Sequence, residues 1–142
     1  MLKKVVIMKK NYRVSFMFII LLATATLFGQ NVAEKTLIKS FNLESTDFVA
    51  VDLDGPVEIR EWDNSLMRIQ ITVGIETGST AMLKSLVTAG RYNLQLNQTT
   101  EGVILESPGL ERTITVSGNP LAENISYLIY KPAKVHVEMA AS

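Results

Sequence analysis

Asp47–Thr77, DFVAVDLDGPVEIREWDNSLMRIQITVGIET, decides the fold. Apolar and polar residues alternate through most of it, the signature of half-buried strands. Val49, Val51 and Leu53 fall on one side of a first strand and Phe48, Ala50 and Asp52 on the other. Asp54-Gly55-Pro56 breaks that strand: glycine supplies a positive φ and proline presets the φ of the returning chain. Val57 and Ile59 then alternate with Glu58 and Arg60, Trp62 ends the strand, and Asp63-Asn64-Ser65 turns again. From Leu66 the pattern is strongest. Ile69, Ile71, Val73 and Ile75 face one way and Arg68, Gln70, Thr72 and Gly74 the other, which makes Leu66–Thr77 the expected longest strand.

The same pattern extends in both directions. Lys35–Phe41 (KTLIKSF) precedes it as a short strand. After it, Ser79 or Thr80 is placed to cap a short helix near residues 80–89, with Met82, Leu83, Leu86 and Val87 as its apolar stripe and Ala89-Gly90 as its stop. Tyr92, Leu94 and Leu96 alternate in RYNLQLNQ, and Val103–Glu106 answers across Thr99-Thr100-Glu101-Gly102 as a hairpin. RTITVSG, NISYLIY and Val135–Met139 add three more strands, separated by Gly118-Asn119-Pro120 and Lys131-Pro132-Ala133. Residues 140–142 are small and expected to fray. Short strands between Gly/Pro/Asn/Asp turns, with at most one short helix, predict an all-β domain over residues 34–139, arranged as a sandwich, a barrel or a solenoid. Short connections favour antiparallel pairing.

The N-terminus is of another kind. Its charged residues, Lys3, Lys4, Lys9, Lys10 and Arg13, are all basic, and Val14–Phe28 is apolar and uncharged. A basic region, an apolar run and a small-residue exit mark a secretory signal peptide, here residues 1–30, with Met8 as a second candidate start. The run is shorter than the ~20 residues of a spanning helix, so cleavage near Gly29–Ala33 is expected rather than retention as an anchor. The expected location is therefore outside the cytoplasm: periplasm, outer surface or medium. Membrane contact is expected only through the signal segment before cleavage.

Composition excludes several chemistries. From Glu34 onward nine Lys/Arg face fourteen Asp/Glu, a net charge of −5, which opposes binding to phosphate backbones or anionic membranes. There is no cysteine, hence no disulfide, thiolate nucleophile, Cys-ligated zinc or lipoprotein acylation site. No cofactor motif is present.

The candidate site residues are few. Asp52, Asp54, Glu58, Glu61 and Asp63 cluster in the opening stretch, and Asp52-Leu53-Asp54-Gly55 matches the start of a calcium loop. Pro56 and Val57 break that match, and turn carboxylates commonly bond their own backbone, so no metal site is assigned. His136, the sole histidine, lies between Val135 and Val137 on the face opposite them and reads as solvent-facing, not as a catalytic base. Trp62, Tyr92, Tyr127 and Tyr130 read first as core or cross-strand partners. Trp62, beside a polar turn, is the one candidate contact for a partner.

Four segments together resemble a known group: FVAVDLDGPVEIREWD, MRIQITVGIET, RYNLQLNQTTEGVILES and ISYLIYKPAKVHVEM. They resemble the adhesin-head GIN domain family and related exported β-repeat domains of Gram-negative bacteria. Gly55, Val57, Ile59 and Asp63 match its strand–Gly–V-x-I–polar-tip element; Tyr127, Ile129, Pro132, Val135 and Val137 match its Y-x-I-x-x-P…V-x-V element. Lys131 departs from it, standing where an apolar residue is usual. The resemblance implies β-solenoid coils and transfers no catalytic residue. It also implies further repeats after V-x-V, so a short form closing as a sandwich and a truncated solenoid remnant both fit.

The expected function is a non-enzymatic binding, adhesion or scaffold module of the cell envelope, with an envelope protein or glycan as partner. The competing reading is a secreted carboxylate-dependent hydrolase, which requires a pocket holding two facing carboxylates.

Overall fold

The computed structural model describes residues 32–76 and 78–141. The signal segment expected over residues 1–30 lies outside them. The elements are strands β1 (Ala33–Asn42), β2 (Phe48–Asp52), β3 (Val57–Trp62) and β4 (Leu66–Ile75), helix α1 (Thr80–Thr88), then β5 (Gln95–Gln98), β6 (Val103–Glu106), a 3₁₀ turn (Pro108–Glu111), β7 (Thr115–Val116), β8 (Asn119–Pro120), β9 (Glu123–Pro132) and β10 (His136–Met139). They form two four-stranded sheets, ordered β1-β4-β9-β3 and β10-β2-β6-β5, and a small β7-β8 ribbon. Among the described residues the fold is all-β with one short α-helix, and none of the sheets closes on itself.

The alternation in the sequence sets which side chains are buried. Met67, Ile69, Ile71, Val73 and Ile75 of β4 are buried, as are Tyr127 and Ile129 of β9. From the other sheet Val49, Val51, Val103 and Leu105 join them in one cluster, so the two sheets share a core. This is the sandwich alternative.

The pairing corrects the antiparallel expectation. β1–β4, β4–β9, β5–β6 and β7–β8 are antiparallel, but β3–β9, β2–β10 and β2–β6 are parallel. The cause is the Asp54-Gly55-Pro56 break. It does not return the chain beside β2 as a hairpin; it hands the chain from one sheet to the other. Gly55 has φ +133°, and a Cβ there would stand 2.5 Å from the carbonyl oxygen of Ile125. Pro56 O accepts the Tyr127 N–H at 2.9 Å, which starts the β3–β9 ladder. The Lys131–Lys134 corner makes the reverse crossing from β9 to β10.

Nor are the second and third strands of the opening stretch neighbours. β9 lies between β3 and β4, so the Asp63-Asn64-Ser65 loop spans two strand spacings, about 10 Å. Leu66 N–H donates to Asn64 Oδ1 at 3.0 Å and Trp62 Nε1–H to Leu66 O at 2.9 Å, fixing the loop. Lys131, the departure from the family pattern, donates to Val135 O at 2.7 Å and holds the second corner.

Three other strand expectations change. β1 is ten residues long, as long as β4 and β9, not a short strand. The RTITVSG strand shrinks to Thr115–Val116, because Ser117 (φ 51°) and Gly118 (φ 82°) reverse the chain directly after it. Tyr92 and Leu94 precede β5 instead of belonging to it. Helix α1 is as expected: Ser79 Oγ caps it by accepting the Met82 N–H at 3.1 Å. It ends with Gly90 N–H bonding Val87 O and Arg91 N–H bonding Leu86 O, the paired closing bonds of a Schellman motif. α1 packs beside β1, with Leu83 in the core.

Candidate binding face

Because residues alternate, the even-numbered positions of β1, β4, β9 and β3 share the outer face of the first sheet. Register arranges them in rows. Ile38, Gln70, Leu128 and Glu58 form one row; Thr36, Thr72 and Ser126 lie to one side of it, and Ser40, Arg68, Tyr130 and Arg60 to the other. Ile38 is 64 % exposed, the most exposed large apolar side chain among the described residues. A hollow of about 290 Å³ lies over this face, lined by Glu58, Gln70, Thr72, Ser126 and Leu128 together with Pro56, Val57 and Tyr127. That volume is at the low end for ligand pockets, about 300–1,000 Å³.

Trp62 stands at the end of the same face and is half-buried. Its ring lies 5.4 Å from that of Tyr130, and the Arg68 guanidinium sits 4.8 Å from its centroid. With its N–H on Leu66 O, the indole is held in one orientation. The sequence places it at a turn; only register shows that it shares a face with Leu128 and Gln70. The row itself is hidden in the sequence, since Ile38, Gln70, Leu128 and Glu58 lie on four strands and only pairing brings them into line.

The acidic cluster divides. Glu58 pairs with Arg60 at 2.7 Å, and Glu61 approaches Lys131 at 3.5 Å. Asp52 and Asp54 meet Glu106 and Glu111 around a cleft of about 80 Å³. That volume is well under the ligand-pocket range, too small to enclose a sugar ring. Among the described residues no group of three or more His, Asp or Glu is placed to hold a metal ion. His136 is exposed, as expected; its ring stacks on Phe48 at 5.9 Å and its Nε2 lies 2.9 Å from Glu138.

The sequence reading missed a buried ion pair. Arg91, just past α1, and Glu123, opening β9, have side chains only 8 % and 10 % exposed. Nη2 and Nε of Arg91 bond the two Glu123 oxygens at 2.5 and 2.9 Å, Nη1 bonds Gly109 O and Arg112 O, and Tyr92 Oη donates to Glu123 at 2.7 Å. Burial pushes the Glu123 carboxyl up, but the hydrogen bonds from Arg91 and Tyr92 and the Arg91 charge outweigh it, and the net shift is down. Burial, with Glu123 beside it, raises the Tyr92 phenol. Every partner in the cluster is engaged, so it ties helix end, 3₁₀ turn and β9 together and offers no free acid or base. No signal along the chain marks Arg91 and Glu123 as partners, being 32 residues apart.

Tyr127 is the opposite case. It is 3 % exposed and its hydroxyl has no hydrogen-bond partner. Burial and the Asp54 charge push it up to about 12; the Ser107 hydroxyl acts the other way but forms no bond of ordinary geometry with it. An unpaired buried hydroxyl costs about 1–3 kcal/mol, so Tyr127→Phe is expected to stabilise the protein by about 1 kcal/mol, measured by urea denaturation. A loss of stability would show that the hydroxyl is satisfied in solution.

No family model matches the chain, and no curated protein matches it. A solved structure described as a "putative cell adhesion protein" from Clostridium sporogenes ATCC 15579 is similar at 14 % identity, with a TM-score of 0.40, over 75 % of this chain and 45 % of that one. The chain thus spans under half the length of that protein. Among the described residues no helix is long and apolar enough to cross a membrane.

Proposed function

We propose that this is an exported, non-enzymatic β-domain that acts in the cell envelope as a binding or adhesion module, through the outer face of the β1-β4-β9-β3 sheet. The observation that carries it is the composition of that face. Isolated apolar side chains, Ile38 and Leu128, sit among amide and hydroxyl groups from Gln70, Thr72 and Ser126, with the Trp62–Tyr130 pair beside them. Sugar rings present that same mixture of apolar faces and hydroxyls, so the ligand chemistry that fits is a polar glycan. The basic and apolar N-terminus supports export, and the motif resemblance to the GIN-domain family supports an envelope role. The acidic cleft favours no hydrolase reading, because its volume leaves no room for a sugar between its carboxylates.

The test is a glycan array probed with the full chain and with Leu128→Glu. Retention by defined surface or cell-wall glycans, reduced at least about tenfold by the substitution, is the expected result. Binding that Leu128→Glu leaves unchanged, or hydrolysis of the arrayed glycans, would overturn the reading.

A further inference from the structure

The two ends of the sandwich differ. At one end lie the edge strands β1 and β5, with α1 packed beside β1. There β1 turns Lys35 and Lys39 toward the core side, in register with Val73 and Ile69 of β4. Inward-pointing charges on an edge strand are a known guard against further strand pairing. At the other end the edges are β3 and β10, each paired on one side only and each parallel to its neighbour. Their core-side positions carry Val57, Ile59, Val137 and Met139, with a single inward charge, Glu61, near the end of β3; Ile59 is 37 % and Met139 52 % exposed.

Backbone direction shows what these edges present. Tyr127 N–H bonds Pro56 O on the β3 side, while His136 N–H bonds Asp47 O and Ala140 N–H bonds Val51 O on the β10 side. In a parallel ladder inward bonding alternates along the strand. The residues of opposite parity, Ile59 in β3 and Val137 in β10, therefore direct both N–H and C=O outward. Each is flanked by a complementary pair on the other face: the opposite charges of Glu58 and Arg60 around Ile59, and the hydrogen-bonding His136 and Glu138 around Val137. In the isolated chain these pairs close on themselves, Glu58 with Arg60 at 2.7 Å and His136 with Glu138 at 2.9 Å.

We propose that this end is a self-association surface on which a second copy of the chain adds antiparallel, β3 to β3 and β10 to β10, about a two-fold axis normal to the sheets. Centred on Ile59, the pairing sets Ile59 opposite its own copy as a hydrogen-bonded pair that exchanges both N–H···O bonds. Glu58 then lies opposite Arg60 of the second copy, in the closer, non-hydrogen-bonded position where opposite charges attract. Centred on Val137, His136 likewise meets Glu138. Both edges are self-complementary in backbone bonding and in the pairs that flank their centres, with Val57 opposite Glu61 on the core side of β3, whereas a β3 pairing centred on Glu58 would set that carboxylate against its own copy. The two sheets would run on through the dimer and remove the open edges.

Sedimentation equilibrium of the full chain tests this, with folding of each variant confirmed by its thermal melt. The expected result is a dimer at about 10 µM and a dissociation constant raised at least about tenfold by Ile59→Lys or by Arg60→Glu. Glu58→Arg combined with Arg60→Glu restores it, because the cross-copy pair is regenerated with its signs exchanged. Ile38→Lys, exposed but on the outer face, leaves it unchanged. A monomer at about 100 µM would overturn the proposal. So would a dimer that Arg60→Glu does not weaken, or one that Ile38→Lys dissolves.

Discussion

Glu123→Ala is expected to destabilise the protein by about 3–5 kcal/mol, the cost of leaving one member of a buried ion pair without its partner. The size follows from what the change strands. Arg91 would stay largely buried with only the Gly109 and Arg112 carbonyls as acceptors, and the Tyr92 hydroxyl would lose its bond. The pH dependence has a definite sign. The folded carboxyl titrates below the ordinary range, so its contribution is fully present above the unfolded value, about 4.3, and is lost as pH falls through the folded one. Glu123→Gln, which keeps the shape but not the charge, should cost less than alanine at neutral pH. It should also lose stability less steeply than the wild type on acidification. Urea denaturation at about pH 7 and about pH 4 measures both effects. Equal acid sensitivity in wild type and Glu123→Gln would remove Glu123 from the account of acid stability.

Gly55→Ala is expected to be nearly as damaging, by about 2–4 kcal/mol, and for a different reason. Two effects add. A positive φ of +133° is strained for any residue with a Cβ, and that Cβ would meet the Ile125 carbonyl at 2.5 Å, a backbone atom that cannot swing aside. Gly118→Ala separates them, since Gly118 also has a positive φ (+82°) but no atom within 4 Å of where its methyl carbon would stand. Its cost should be strain alone, about 1–2 kcal/mol. The difference between the two variants, read from thermal melts, isolates the close approach of corner and β9. If the two cost the same, the corner is not packed against Ile125.

These two residues mark where the sequence is legible and where it is not. Alternation in Leu66–Ile75 predicts the buried set of β4 because it depends only on neighbours along the chain. The Ser79 cap and Gly90 stop of α1 are readable for the same reason. Gly55-Pro56 is visible as a break, but a break does not say whether the chain returns to its own sheet or crosses to another. That depends on β9, which begins at Glu123, far along the chain, and enters between β3 and β4. The Arg91–Glu123 pair and the Ile38–Gln70–Leu128–Glu58 row are hidden for the same cause. Trp62 stands between: its place at a strand end is local, while its neighbours Arg68 and Tyr130 follow from pairing.

The proposed binding face and the sandwich are linked. Insertion of β9 sets Leu128 and Tyr130 between Gln70 and Arg68 on one side and Glu58 and Arg60 on the other. A β3–β4 hairpin would have produced a different surface from the same residues. Amide hydrogen exchange of the full chain, with and without a glycan retained on the array, tests this most directly. The account predicts added protection confined to β1, β4, β9 and β3, with Trp62 fluorescence changing in parallel, since Trp62 is the sole tryptophan. Protection on β2, β5 and β6 instead, with Trp62 unaffected, would contradict it.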